Sequence, residues 1–167
     1  MKIEIVKTAE RSPDISVAYL AGKESDFSAC SFSTTELEYI KKEIKKEKSK
    51  IDINSYFKWS FIRFAKQKGN YAGKKENMRQ QGAELTGVLQ QNKVEEIVVE
   101  DLLQEPELIL AFIEGLVLGH YQFLHYKSGK KETLPLKKIQ VLSEGITASD
   151  LAELTNTCKA VYHGRDL

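Results

Sequence analysis

Cysteine is scarce in this chain: Cys30 and Cys158 are the only two in 167 residues. They stand far apart, outside any CxxC or Cys/His ligand spacing, which excludes a disulfide-stapled scaffold and the usual sequence forms of a structural zinc site. Both are expected to be reduced thiols packed as small hydrophobes. Three prolines and ten glycines build no linker, and no internal repeat is present. No apolar run approaches the roughly 18 residues of a membrane span. The first residues, Met1 to Lys7, carry Lys2, Glu4 and Lys7 where a signal peptide needs an apolar stretch, so a cytoplasmic protein is expected. Charge of one sign is lacking too, with 25 Lys and Arg against 24 Asp and Glu and a formal net charge of +1. Such a balance gives no global field, which argues against a membrane-bound protein or a dedicated nucleic-acid binder and leaves room only for a local patch.

Catalytic signatures are equally sparse. GxGxxG and GxxxxGK[ST] phosphate loops are absent, and Gly22-Lys23 and Gly73-Lys74 are isolated dipeptides. Ser31 and Ser33 lack a GxSxG elbow and a His/Asp partner. His120, His125 and His163 have no HExxH spacing and read as packing or surface residues. Glu95-Glu96 and Glu100-Asp101 are consecutive, so in a strand the two members of each pair face opposite ways. No catalytic, cofactor-binding or metal-ligating residue is assigned in the chain.

What the sequence does hold is an alternation of short apolar runs and helical periods. Ile3, Ile5 and the run Ile15 to Leu20 read as two strands, joined as a hairpin or strand pair through the turn-like Arg11-Ser12-Pro13-Asp14. Ser33-Thr34-Thr35-Glu36 has the spacing of a capping box. It opens a helix with Leu37, Ile40 and Ile44 on one side and a solvated lysine face on the other. The aromatic stretch Tyr56 to Ala65 predicts one strand, Lys74 to about Gln91 a helix weakened by Gly82 and Gly87, and Val94 to Val99 a buried strand. Pro106 starts a helix that is apolar almost all round, and therefore buried on more than one side, within the domain or against a partner subunit. A strand over Pro135 to Leu142 and a helix capped near Thr147, with Leu151, Leu154, Cys158, Val161 and Tyr162 on its apolar side, complete the order. The alternation predicts a three-layer α/β/α domain with a mixed, mainly parallel sheet.

Two segments carry a family resemblance. Glu114 to Phe123 followed by Tyr126-Lys127 is similar to the EGxxLGxYxFxxYK segment of the amino-terminal domain of leucyl aminopeptidases, and Ala160 to Leu167 resembles the ARDLxNxP stretch leading into that family's catalytic domain. Asn77 to Ala83 and the strand Val94 to Val99 sit where the family has an LRxAG helix and a following strand. The resemblance is strong after Lys74 and weak before it. It departs at Lys66-Gln67-Lys68, where relatives show GLG, and at His163-Gly164.

The resemblance implies a macro-domain-like fold and a single non-catalytic amino-terminal domain over residues 1–167. The catalytic metallopeptidase domain, with two divalent metals (zinc or manganese), would follow Leu167. It further implies a role in assembling a homo-oligomer, a hexamer in the family, and in access to an active site that removes amino-terminal residues from peptides. The partners expected are the chain's own catalytic domain, further copies, and the parent's peptide substrates. A free-standing macro-like module that binds ADP-ribose or a nucleotide is the alternative expectation.

Overall fold

The computed structural model describes residues 1–121 and 134–167. Among these, six strands form one sheet: β1 (Glu4–Lys7), β2 (Ser16–Ala21), β3 (Lys50–Ser55), β4 (Lys58–Phe64), β5 (Glu96–Asp101) and β6 (Lys138–Leu142). Four helices flank it: α1 (Thr34–Lys45), α2 (Tyr71–Gln91), α3 (Pro106–Gly119) and α4 (Ala148–Asp166). The strand order is β1-β6-β5-β2-β4-β3, and every pairing is parallel except β4 with β3. The expected mixed, mainly parallel sheet is therefore present.

Strand alternation divides the sheet into two faces with two cores. Ala18, Leu20, Phe61, Ile97, Val99, Ile139 and Val141 meet α2, α3 and α4. Val17, Tyr19, Ala21, Ile51, Ile62, Phe64 and Val98 meet α1 and the preceding loop, through Ile40, Phe27 and Cys30. The result is three layers, with three helices on one face and one on the other.

Two expectations about the strands change. β1 and β2 are not a hairpin, because β6 and β5 lie between them. All four strands are parallel, so residues 8–15 form a crossover that returns the chain from the carboxyl end of β1 to the amino end of β2. Arg11 fixes that crossover: its Nη2 donates to the Ala29 carbonyl at 2.7 Å, its Nη1 to Ser31 Oγ at 3.3 Å, and its Nε lies 2.9 Å from Glu100 Oε2. The second change is β3. The predicted single strand over Tyr56 to Ala65 is the second arm of a β3–β4 hairpin whose tip is Tyr56-Phe57, with Tyr56 in the left-handed region at φ 61°.

Helix boundaries follow their caps. Ser33 Oγ accepts from the Glu36 amide and the Glu36 carboxylate from the Ser33 amide, so the predicted box forms. Thr147 and Asp150 make the same reciprocal pair on α4. α2 starts three residues earlier than predicted because the Asn70 side chain caps it by accepting from the Gly73 amide at 2.7 Å.

Candidate functional site

The apolar helix α3 is buried inside the domain, between the sheet and its neighbouring helices. Gly115 and Gly119 admit the backbone of α2, and Gly82 reciprocates from the other side. A Cβ on Gly115 would collide with the Arg79 carbonyl, one on Gly82 with the Phe112 carbonyl, and one on Gly119 would lie 2.9 Å from Thr86 Oγ1. Gly82, expected to weaken α2, is thus the residue that lets α2 and α3 touch. Thr86 spans the contact, its hydroxyl donating to the Leu116 carbonyl at 3.1 Å. Arg79 ties the same seam electrostatically: its Nε and Nη2 sit 3.1 and 3.0 Å from Glu114 Oε2, and its Nη1 2.6 Å from Glu76 Oε2.

The last two turns of α4 close onto the exit of α3. The Tyr162 hydroxyl donates to the Val117 carbonyl, and its ring meets the Tyr121 ring edge-on at 4.9 Å. The Tyr121 hydroxyl donates to Asp166 Oδ1 at 2.7 Å, while the Arg165 guanidinium lies 5.3 Å from the centre of the Tyr121 ring. Burial is the main cause that raises the Tyr162 phenol to about 12. The segments that carry the family resemblance therefore meet in space: Arg79 of the 77–83 segment binds Glu114 of the 114–123 segment, and Tyr121 of the latter binds Arg165 and Asp166 of the 160–167 segment. One-dimensional spacing gave no sign of these contacts. Phe123, Tyr126 and Lys127 lie outside the described residues.

The carboxyl edge of the parallel strands is where ligands enter open α/β sheets. Two clefts of opposite charge lie along it. One, about 740 Å³, opens beyond β1, β6 and β5 and is lined by Glu100, Asp101 and Glu144, with Lys7 as its cation. Lys7 is already engaged, its Nζ donating to the Ile146 carbonyl at 2.7 Å, and Asp101 Oδ2 accepts from Ser143 Oγ at 2.8 Å. Burial holds the Glu100 carboxyl above the usual carboxylate range, and Arg11 opposes that shift. The ion-pair contact from Arg11 Nε lacks hydrogen-bond geometry, which leaves Glu100 Oε2 without a hydrogen-bond donor. The other cleft, about 340 Å³, lies beyond β2 and β4 and is lined by Lys23, Lys48, Lys66 and Lys68.

The remaining sequence candidates fall in separate places. Ser33 is a helix cap, and Ser31 accepts from Arg11. His120 caps α3 half-buried, where burial lowers its pKa, and His163 is exposed on α4. His125 lies outside the described residues. Cys30 and Cys158 are both buried free thiols that burial, above all, raises to about 11. Among the described residues no group of three His, Cys, Asp or Glu side chains is placed to hold a metal ion, so the two divalent metals of the resemblance do not fit any donor set described here. No described helix is long and apolar enough to cross a membrane.

Comparisons of sequence and of fold both find similarity to aminopeptidases. Residues 68–130 match the sequence profile of the cytosol aminopeptidase family, N-terminal domain. A probable cytosol aminopeptidase of Pseudomonas syringae pv. tomato is 36% identical over 56 residues, an alignment covering 34% of this chain and 11% of that protein. A mutant of tomato leucine aminopeptidase superposes with a TM-score of 0.66 at 14% identity, over 98% of this chain and 36% of that one. The architecture is thus that of an α/β/α domain found in leucine aminopeptidases. In sequence, the likeness to the N-terminal domain of the cytosol aminopeptidase family lies over residues 68–130.

Proposed function

We propose that this chain serves as the non-catalytic amino-terminal domain of a leucyl aminopeptidase-like metalloexopeptidase. In this reading it assists oligomer assembly and access to the active site, while a two-metal centre elsewhere in the parent removes amino-terminal residues from peptides in the cytoplasm. The observation that carries it is the convergence of the family-like segments at one seam, Arg79 on Glu114 and Tyr121 on Arg165 and Asp166. The chain spans about a third of the tomato enzyme's length, so peptide hydrolysis, metals and oligomeric state are properties proposed for the parent.

The test is to read the coding frame beyond Leu167 and to assay its product beside residues 1–167. The expected outcome is metal-dependent hydrolysis of a leucyl amide by the longer product, a hexameric mass by sedimentation, and no hydrolysis by residues 1–167. Hydrolysis by residues 1–167 with added zinc or manganese would sink the division of labour. The ADP-ribose alternative draws no support from the comparisons, and the larger cleft offers a diphosphate three carboxylates.

A further inference from the structure

The smaller cleft at the carboxyl edge has an electrostatic character that the aminopeptidase reading does not use. Three segments build it: the start of the loop after β2, the passage from α1 into β3, and the loop after β4. Each contributes ammonium groups, Lys23 from the first, Lys48 from the second, and Lys66 and Lys68 from the third. Glu47 is the one carboxylate lining it, and it lies 3.5 Å from Lys23 Nζ. Among the described residues, Lys48, Lys66 and Lys68 have no ion-pair partner. In a chain of net charge +1, four lysines against one glutamate make this a concentrated local field.

The floor of the cleft is apolar and its wall holds an oriented amide. Phe64 and Ala65 supply the floor. Asn77 stands at the wall, and its orientation is set by the buried Gln81, whose Nε2 donates to the Phe64 carbonyl at 3.0 Å and to Asn77 Oδ1 at 2.9 Å. A backbone carbonyl can only accept, which fixes which end of Gln81 is the donor and hence that Asn77 offers it oxygen. Asn77 Nδ2 has no protein acceptor among the described residues. Three uncommitted ammonium groups and an amide donor around a concave site match an acceptor-only ligand of several charges. A single carboxylate would leave most of that charge unneutralised. Lysine meets phosphate as a point charge rather than a fork, and a volume of about 340 Å³ lies within the range of small-molecule pockets, roughly 300–1,000 Å³.

We propose that this cleft is a binding site for a short chain of phosphates, such as a di- or triphosphate group. Lys66 and Lys68 supply its principal charge contacts and Asn77 a neutral donor. The same oxyanion chemistry is offered by a free oligophosphate and by a nucleic-acid backbone, and a volume of about 340 Å³ is the scale of the free ligand.

Calorimetric titration of the full 167-residue chain with inorganic triphosphate tests the site, beside K66Q/K68Q, N77A, and D101N/E144Q from the acidic cleft. One saturable site per chain is expected, weakening as salt rises from about 50 to about 200 mM. Removal of two charged contacts in K66Q/K68Q lowers affinity at least about tenfold, N77A lowers it less, and D101N/E144Q leaves it unchanged. All four proteins should share one far-ultraviolet circular dichroism spectrum, because none of the substituted residues is buried. Absence of saturation, or an affinity indifferent to K66Q/K68Q, overturns the proposal. Tighter binding of a single-stranded oligonucleotide with a steeper salt slope overturns the free-ligand assignment. None of these outcomes depends on the peptidase assay, so failure here and failure of the aminopeptidase reading are separately visible.

Discussion

At the scale of single residues, the closest tolerances are backbone against backbone. Gly115 faces the Arg79 carbonyl with no space for a methyl group, whereas Gly87, also helical, has nothing within 4 Å of the position its Cβ would take. Gly115→Ala should therefore destabilise the fold by about 1–3 kcal/mol through overpacking. Gly87→Ala should stabilise it by about 0.5–1 kcal/mol by restricting the unfolded chain. Urea midpoints of the two variants measure both, and equal effects would mean that α2 and α3 can part without cost. Glu100 offers a second residue-scale test, through pH. Its carboxyl titrates above the usual range in the fold because burial outweighs the attraction of Arg11. A raised native pKa gives stability that is full below the unfolded value and is lost as pH rises through the native one. Glu100→Gln does not titrate, so its stability relative to the wild type should improve as pH rises from the ordinary carboxylate range through neutrality. A difference that stays flat over that interval would show that Arg11 fully compensates the burial.

At the scale of elements, the caps decide where helices begin. Ser33 and Glu36 satisfy each other's amide partners at the start of α1, the one described helix on its face of the sheet. Ser33→Ala should cost about 1 kcal/mol, with faster hydrogen exchange confined to the first turn of α1; no change in exchange there would remove the cap from the account. This box, the one at Thr147 and the proline start of α3 were legible because each is a local pattern with a local cause. β3 was not. Lys50-Ile51-Asp52-Ile53-Asn54-Ser55 is an edge strand that buries one face through Ile51 and leaves Lys50, Asp52 and Asn54 exposed, so its polar alternation is weak beside the aromatic run that follows. The turn was hidden as well, since Tyr56 and Phe57, both 96% exposed, occupy a tip where polar turn residues are expected. The β1–β2 pairing failed for a different reason. Two neighbouring strands in sequence give no sign that β5 and β6, far downstream, will insert between them. The clefts share that property, because Lys23, Lys48 and Lys66 become neighbours only once β2, β3 and β4 are side by side.

At the scale of the whole molecule, the two cores are unequal but they share their strands. Residues alternate along β2, β4 and β5, with Ala18 and Leu20 facing α2 and α3 while Val17 and Tyr19 face the α1 layer. Neither layer can lose its sheet without exposing the other, and the crossover bearing Arg11 fastens β5 to the loop before α1 through Glu100, Ala29 and Ser31. The chain should therefore unfold as one unit, although its helices are distributed three to one. Trp59, the single tryptophan, lies half-buried on β4 with its ring parallel to that of Phe61 at 5.7 Å, so its fluorescence reports on the sheet. Circular dichroism near 222 nm reports mainly on α2, α3 and α4, the bulk of the helical residues. In urea the two signals should give one coincident transition, with a slope in the range of about 1–3 kcal/mol per molar denaturant. A tryptophan transition that preceded the helical one would mean that the β3–β4 hairpin and α1 can leave while the three-helix face stays folded. The shared strands would then be a weaker coupling than their alternation implies, and the basic cleft, which needs Lys48 beside Lys66, would open at the same urea concentration.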